Sequence, residues 1–229
     1  IAADVYADLS DFFKTHQARL GILVADNDPV IEQFVRIKSR AAQNLGVGMA
    51  RVDLPAAATT EQVIEAVQQL QQQADAIIVQ LPLPAQVDAN AVLSSIAPGK
   101  DADAINPRHS GEHFVEAPVA SAIVEILQRA NVSVAGKRAV VVGSGRLVGA
   151  PAYDALKKRG ADVSFFTLDR GAIVDLKDAD IVVSGAGQPG FIKPEHLKPG
   201  VALIDAGTSE QGSSIVGDAD PACEQVASV

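Results

Sequence analysis

Seven short runs with the residue types of strands recur along the chain: 20-LGILVA-25, 47-VGMARVDL-54, 76-AIIVQL-81, 137-KRAVVVGSG-145, 161-ADVSFFT-167, 181-IVVSGAG-187 and 201-VALIDAG-207. Between most of them the apolar positions switch to helical spacing. In 29–44 these are Ile31, Phe34, Val35, Ile37 and Ala41, with Gly46 as the stop; 59–73 opens on Thr59 or Thr60 as a cap; 148–160 closes at Gly160. Strand, helix, strand in this rhythm is the signature of a parallel sheet covered by helices. An amphipathic stretch at 4–20, with Val5, Leu9, Phe12 and Phe13 near one face, precedes the first strand. Periodicity stops at 98-PGKDADAINPRHSG-111, and the helical stretch 119–132 then crosses to a second β/α set. The expectation is an α/β chain of two β/α domains, 1–118 and 119–229.

Composition narrows the partners. The 229 residues are 48% hydrophobic and 21% charged, an ordinary globular balance. A net charge of -9, with no Lys/Arg run interleaved with aromatics, argues against nucleic acid or a membrane surface as partner. The single Cys223 excludes an intrachain disulfide and a cysteine-based zinc site, and fits a reducing, cytoplasmic setting. No apolar segment approaches the roughly 20 residues that span a bilayer, and no secretory signal is visible. The chain begins at Ile1 rather than Met, so a preceding piece is expected.

The segment 139-AVVVGSGRLVGAPAYDAL-156 runs from an apolar strand through Gly143, Gly145 and Gly149 into a helix. Glycines let a backbone turn sharply beside a pyrophosphate, and the helix start offers free N–H groups and a positive dipole end. Ser144, Arg146 and Val148 complete the turn. The spacing is one residue longer than the usual G-x-G-x-x-G, and a tight turn without ligand is the competing reading. Past the next strand, Asp169 could accept from a ribose 2′-hydroxyl and favour NAD, whereas the neighbouring Arg170 would favour the 2′-phosphate of NADP. Both cofactors stay open.

In the first half, 77-IIVQLPLPAQVD-88 ends an apolar run in Gln80, pinned at once by Pro82 and Pro84. Phe34 and Lys38 are four apart and share a helix face. A partly desolvated Lys38 could serve as acid or base, but a lysine stem lying along a surface helix explains the spacing as well. Asp101 and Asp103 alternate in an extended loop, so one of them faces any given site, unless both only cap turns. His109 and His113 lack metal-ligand partners and read as solvated loop residues. No pattern suggests covalent catalysis.

The runs 78-IVQLPLP-84, 99-GKDADAINP-107, 139-AVVVGSGRLVGAP-151, 185-GAGQPGFI-192 and 215-IVGDAD-220 together resemble, in order and spacing, the bifunctional methylenetetrahydrofolate dehydrogenase/cyclohydrolase family. The resemblance implies a folate-binding first domain, a Rossmann-type second domain, a cleft between them and a homodimer. It gives Lys38 the role of general acid/base in the cyclohydrolase step and Gln80 that of its hydrogen-bonding partner. Asp103 would bind the pterin ring, and Phe34 would stack on the folate without the hydroxyl of the family's usual tyrosine. Gln80, Leu81 and Pro82 would line the substrate site. The departures fall mostly in the second domain. The family's G-R-S turn reads Gly143-Ser144-Gly145, its H-S-[RK]-T reads 167-TLDR-170, and its P-C-T-P is not visible in 116-EAPVASA-122. The family's second lysine reads Arg40, 208-TSE-210 stands after the last D-x-G, and the family's closing P-G-G-V-G-P-x-T is missing from the sequence, which stops at Val229.

The function so implied is oxidation of 5,10-methylenetetrahydrofolate with NAD or NADP, then hydrolysis of the methenyl product to 10-formyltetrahydrofolate. Three alternatives remain at this level: a cyclohydrolase alone, a non-catalytic folate- or nucleotide-binding paralogue, and a dehydrogenase of another substrate. The retained Lys38, Gln80 and Asp103 speak against a pure binder.

Overall fold

A computed structural model describes residues 1–26, 28–107, 115–167, 173–211 and 214–229. The chain divides into two compact units, Ile1–Val115 and Glu116–Val229.

In the first unit, α1 (Ala2–Phe13) precedes a three-stranded parallel sheet of β1 (Arg19–Val24), β2 (Gly48–Asp53) and β3 (Ala76–Val79), in the order β2-β1-β3. The connections are α2 (Pro29–Leu45) and α3 (Thr60–Gln73), and a short α4 (Ala89–Ser94) follows the sheet. Side chains alternate across a strand, and here both faces are covered. Leu23, Ile77 and Val79 pack with Val63, Val67 and Leu70 of α3 and with Val92 and Leu93 of α4. Ile22, Val24 and Ile78 pack with Ile31 and Val35 of α2. That two-sided burial is why β1 reads as an unbroken apolar run, each buried aliphatic side chain contributing about 1.5–3 kcal/mol.

Local chemistry fixes the ends. Thr59, not Thr60, caps α3: its Oγ1 accepts from Gln62 N, while Gln62 Oε1 accepts from Thr59 N at 2.9 Å. Asp88 caps α4, accepting from Ala91 N at 3.0 Å. Two expectations shift. The apolar face of α1 has no buried residue, with Val5, Leu9 and Phe12 all exposed. On α2 the 3.6-residue period sends Ile31 and Val35 inward but leaves Phe34 and Ile37 outside. The six-residue α4 escaped the periodicity reading because it is under two turns long.

In the second unit, α5 (Pro118–Arg129) leads to a parallel sheet of β4 (Arg138–Val142), β5 (Asp162–Phe166), β6 (Ile181–Ser184) and β7 (Ala202–Asp205), in the order β5-β4-β6-β7. One face, through Val141, Val183 and Ile204, packs on Ile123 and Leu127 of α5 and on Leu156 of α6 (Gly149–Lys158). The other, through Val140, Val142 and Val182, is covered by Leu176, Ile192, Leu197 and Cys223. Three of those sit in or beside 3-10 turns at Ile173–Asp178, Pro194–His196 and Pro221–Gln225. A small antiparallel hairpin, β8 (Ser209–Gln211) with β9 (Ser214–Val216), was not foreseen, since three-residue strands carry no readable alternation. Among the described residues no helix is long and apolar enough to cross a membrane.

Candidate active site

Both sheets wind the same way: the chain leaves the central strand to one side, then returns to the other. In open parallel sheets, ligands gather beyond the carboxyl ends of the strands at such a reversal. In the first unit that point lies between β1 and β3, and Gln80 is the residue that follows β3.

Gln80 is buried, and its N–H donates to Leu23 O at 2.9 Å, holding the β3 exit against β1. Its Nε2 donates to Leu81 O at 2.9 Å, and its Oε1 accepts from Lys38 Nζ at 2.9 Å. Leu81 O can only accept, so the amide nitrogen must face it and the amide oxygen must face the ammonium. The orientation toward Lys38 is thereby set by the Leu81 backbone, and the Leu81–Pro82 peptide is cis. Lys38 is half-buried on α2 rather than free in solvent, so the snorkelling reading does not hold. Phe34, one turn earlier, leaves 37% of its surface open on the same helix.

The loop after α4 supplies the third group. Lys100 Nζ donates to Ala74 O at 2.7 Å and also to Gln71 O, closing carbonyls at the end of α3. Gln71 holds the same loop through Ala97 N and Ser95 O. Asp101 is buried, pairs as an isolated parallel bridge with Ile77, and accepts from Asn106 N at 2.8 Å. Asn106 Nδ2 in turn donates to Ile96 O at 2.7 Å. Asp101 thus braces the loop, and Asp103, two residues on, is near enough to Lys38 to feel its charge. Burial pushes the Asp103 carboxyl above its usual value; the Lys38 charge opposes that rise and the Asp101 charge adds to it. Ala104 beside it sits at φ 52°, in the left-handed region. The structure therefore brings Lys38, Gln80 and Asp103 to one place. Lys100 and Asn106 stand in the polar loop that the sequence shows, but neither their anchoring roles nor that of Gln71 is readable there, because the backbone carbonyls they hold leave no trace in sequence.

In the second unit the reversal lies between β4 and β6. A hollow of about 330 Å³ is lined by Gly143, Ser144, Gly145, Phe166, Thr167, Gly185 and Ala186, at the carboxyl ends of β4, β5 and β6. The three turn glycines do different things. Gly143 is at φ 91°, and a Cβ there would lie 2.9 Å from Gly185 O. A Cβ on Gly149 would lie 2.1 Å from Gly143 O, so only glycine lets α6 start this close to the turn. A Cβ on Gly145 would meet nothing within 4 Å. Ser144, Gly145 and Arg146 are exposed, and Val148 is half-buried at the N-cap of α6. Thr167 Oγ1 is buried with no hydrogen-bond partner among the described residues.

A dinucleotide phosphate fits this set. The open flank at Gly145 gives backbone-close space, the α6 N-terminus supplies the dipole, and the Thr167 hydroxyl offers a bond that no described residue takes up. Asp169 and Arg170, with Arg108, His109 and His113, lie outside the described residues. No group of three or more His, Cys, Asp or Glu among the described residues is placed to hold a metal ion.

Comparison with known proteins decides the family. The tetrahydrofolate dehydrogenase/cyclohydrolase catalytic-domain model matches residues 1–103, and the NAD(P)-binding-domain model of the same family matches residues 117–229. The chain belongs to this family. It is 39% identical over 212 residues to the bifunctional protein FolD of Methanoculleus marisnigri, covering 88% of this chain and 75% of the relative. The FolD of Halothermothrix orenii is 34% identical over 238 residues, covering 96% and 83%. Among solved structures, the N5,N10-methylenetetrahydrofolate dehydrogenase-cyclohydrolase of Trypanosoma brucei, complexed with NADP cofactor and inhibitor, superposes with a TM-score of 0.92 at 31% identity, covering 99% of this chain and 86% of that one.

Proposed function

We propose that this chain oxidises 5,10-methylenetetrahydrofolate to the 5,10-methenyl form with a nicotinamide dinucleotide, and hydrolyses that product to 10-formyltetrahydrofolate. The observation that carries it is the 2.9 Å bond from Lys38 Nζ to Gln80 Oε1, with the half-buried Asp103 carboxyl close enough to feel the Lys38 charge. Family membership over both units supports the pairing of activities.

Hydrolysis needs a proton taken from water as it adds to the methenyl carbon, and a proton delivered to the ring nitrogen that departs. Lys38 is the group in place to shuttle that proton. Gln80 keeps its nitrogen at a fixed position, and Asp103 offers an acceptor to the polar edge of the pterin, while Phe34, Leu81 and Pro82 give apolar contact. The bound dinucleotide supplies the hydride acceptor for the oxidation. Gly143, Ser144, Gly145, Arg146, Val148 and Gly149 hold its phosphates, and Thr167 donates to it. Asp169 and Arg170 set the choice between NAD and NADP. Equilibrium titration with each dinucleotide tests this: Asp169→Ser should weaken NAD, and unchanged affinity removes Asp169 from the site.

Hydrolysis without oxidation is the second reading, favoured by Ser144 and Gly145 standing where the family's arginine and serine do. Failure of both dinucleotides to bind, with hydrolysis intact, would select it. We also infer a cytoplasmic homodimer working on a small folate rather than nucleic acid or membrane. Support comes from the net charge of -9, the single cysteine and the family resemblance. Sedimentation at micromolar concentration tests the dimer, and a purely monomeric species would overturn it.

A further inference from the structure

Among the described residues, the mechanism leaves one fully buried acidic side chain unused. Asp218 is 0% exposed, and it lies neither in a strand nor on the wall of the hollow. Its partners are neutral donors: Oδ2 accepts from Ser184 Oγ at 2.6 Å, Ala186 N at 2.7 Å and Gly187 N at 3.3 Å, and Oδ1 accepts from Gln188 N at 2.6 Å. Burying a carboxylate is costly unless its hydrogen bonds are complete, and this one spends them on a single turn. Three of its four donors are successive backbone N–H groups of the β6 exit, 186–188. That turn forms a wall of the dinucleotide hollow through Gly185 and Ala186.

Asp218 is itself held. Its N–H donates to Asp205 Oδ1 at 3.1 Å, and Asp205 Oδ2 accepts from Ala219 N at 2.8 Å. Two glycines make the room. A Cβ on Gly207 would lie 2.3 Å from Asp218 Cγ, and a Cβ on Gly217 would lie 2.0 Å from Asp205 Oδ2. The end of β7 therefore grips the 217–219 segment, and that segment grips the turn after β6. We propose that Asp218 is a positioning residue for the dinucleotide, fixing the 185–188 wall in the conformation that binds it. This rests on the dinucleotide reading given above.

The isosteric Asp218→Asn separates positioning from bulk stability. An amide has one acceptor oxygen, which would serve the three donors at Oδ2 and turn its NH2 onto the Gln188 N–H. The end of the turn is then released while the fold keeps its volume. Equilibrium titration of the full chain with NAD and NADP should show affinity weakened by about ten-fold, the scale of one buried donor left unpaired. In turnover the dinucleotide KM should rise with kcat nearly kept, and methenyltetrahydrofolate hydrolysis should not change. Ser184→Ala removes one donor and leaves the backbone turn alone, so it should weaken binding by a smaller factor in the same direction; it also serves if Asp218→Asn does not fold. Wild-type binding with unchanged affinity in the folded variants would overturn the positioning role while leaving the dinucleotide reading intact. A fall in kcat and hydrolysis alongside affinity would also overturn it, showing general damage. Failure of the wild type to bind either dinucleotide would instead remove the reading on which the role depends.

Discussion

The two units use one winding for what we propose are two kinds of site. At the reversal between β1 and β3, the working parts are side chains: an ammonium, an amide and a carboxyl drawn from α2, the β3 exit and the loop after α4. At the reversal between β4 and β6 the working part is space, kept by side chains that are missing at Gly143, Gly145 and Gly149. The first kind of site fails when an atom is removed and the second when one is added.

The largest expected effect is in the first unit. Lys38→Ala should lower hydrolysis by about 10²–10⁴-fold, the usual worth of a positioned acid or base, with hydride transfer partly retained. Rates are read from the loss of methenyl absorbance and the formation of reduced dinucleotide; equal losses would make Lys38 a substrate anchor instead. In the second unit, adding a single methyl group tests the contrast twice. Gly149→Ala should cost about 1–3 kcal/mol of stability through overpacking and abolish dinucleotide binding. Gly145→Ala should melt with the wild type and still bind the dinucleotide poorly, because its Cβ meets no protein atom. If both variants melt and bind like the wild type, the site is not defined by space.

Asp103→Asn separates stability from function by pH. The carboxyl is raised by burial, so its folded value lies above the unfolded value near 3.8. The native state holds the proton more tightly across that interval, and stability falls as pH rises through it. The amide carries no such penalty. The variant should therefore gain on the wild type as pH climbs above 3.8, keep that margin at neutral pH, and bind folate poorly. Denaturant midpoints along a pH series would show this, and a margin independent of pH would mean that burial of the charge is not the cause. Smallest of all, Ala104→Gly should be neutral or stabilising by up to about 1 kcal/mol, since alanine at φ 52° carries left-handed strain. A clear loss would mean that the alanine side chain packs usefully there.

Much of this was legible in sequence for a reason that differs between the units. The β/α rhythm survives because strands buried on both faces must be apolar throughout, and Gly143 and Gly149 show as letters because only glycine fits them. Gln80 was visible as a polar residue closing an apolar run. The rest lies in backbone partners. Nothing in the letters says that Leu81 O orients Gln80, that Lys100 reaches the end of α3, or that Asp218 gathers three N–H groups of one turn. Thr167 shows in sequence only as the end of 161-ADVSFFT-167 and the start of 167-TLDR-170, since an unmade hydrogen bond has no sequence signature. The exposed face of α1 is a further case: amphipathic spacing shows that a face wants cover, and not that this unit provides it.

The bond between Lys38 and Gln80 joins positions 42 apart, and α3 lies between them in the chain. Closing so long a loop costs entropy that neighbouring contacts repay only once β3 has paired with β1. During refolding, helical signal should therefore return early and hydrolytic activity late, even though both belong to the same unit. If Lys38 and Gln80 act as proposed, their pairing is a clock for the completion of its own sheet, and a preparation with native circular dichroism can still be short of active molecules.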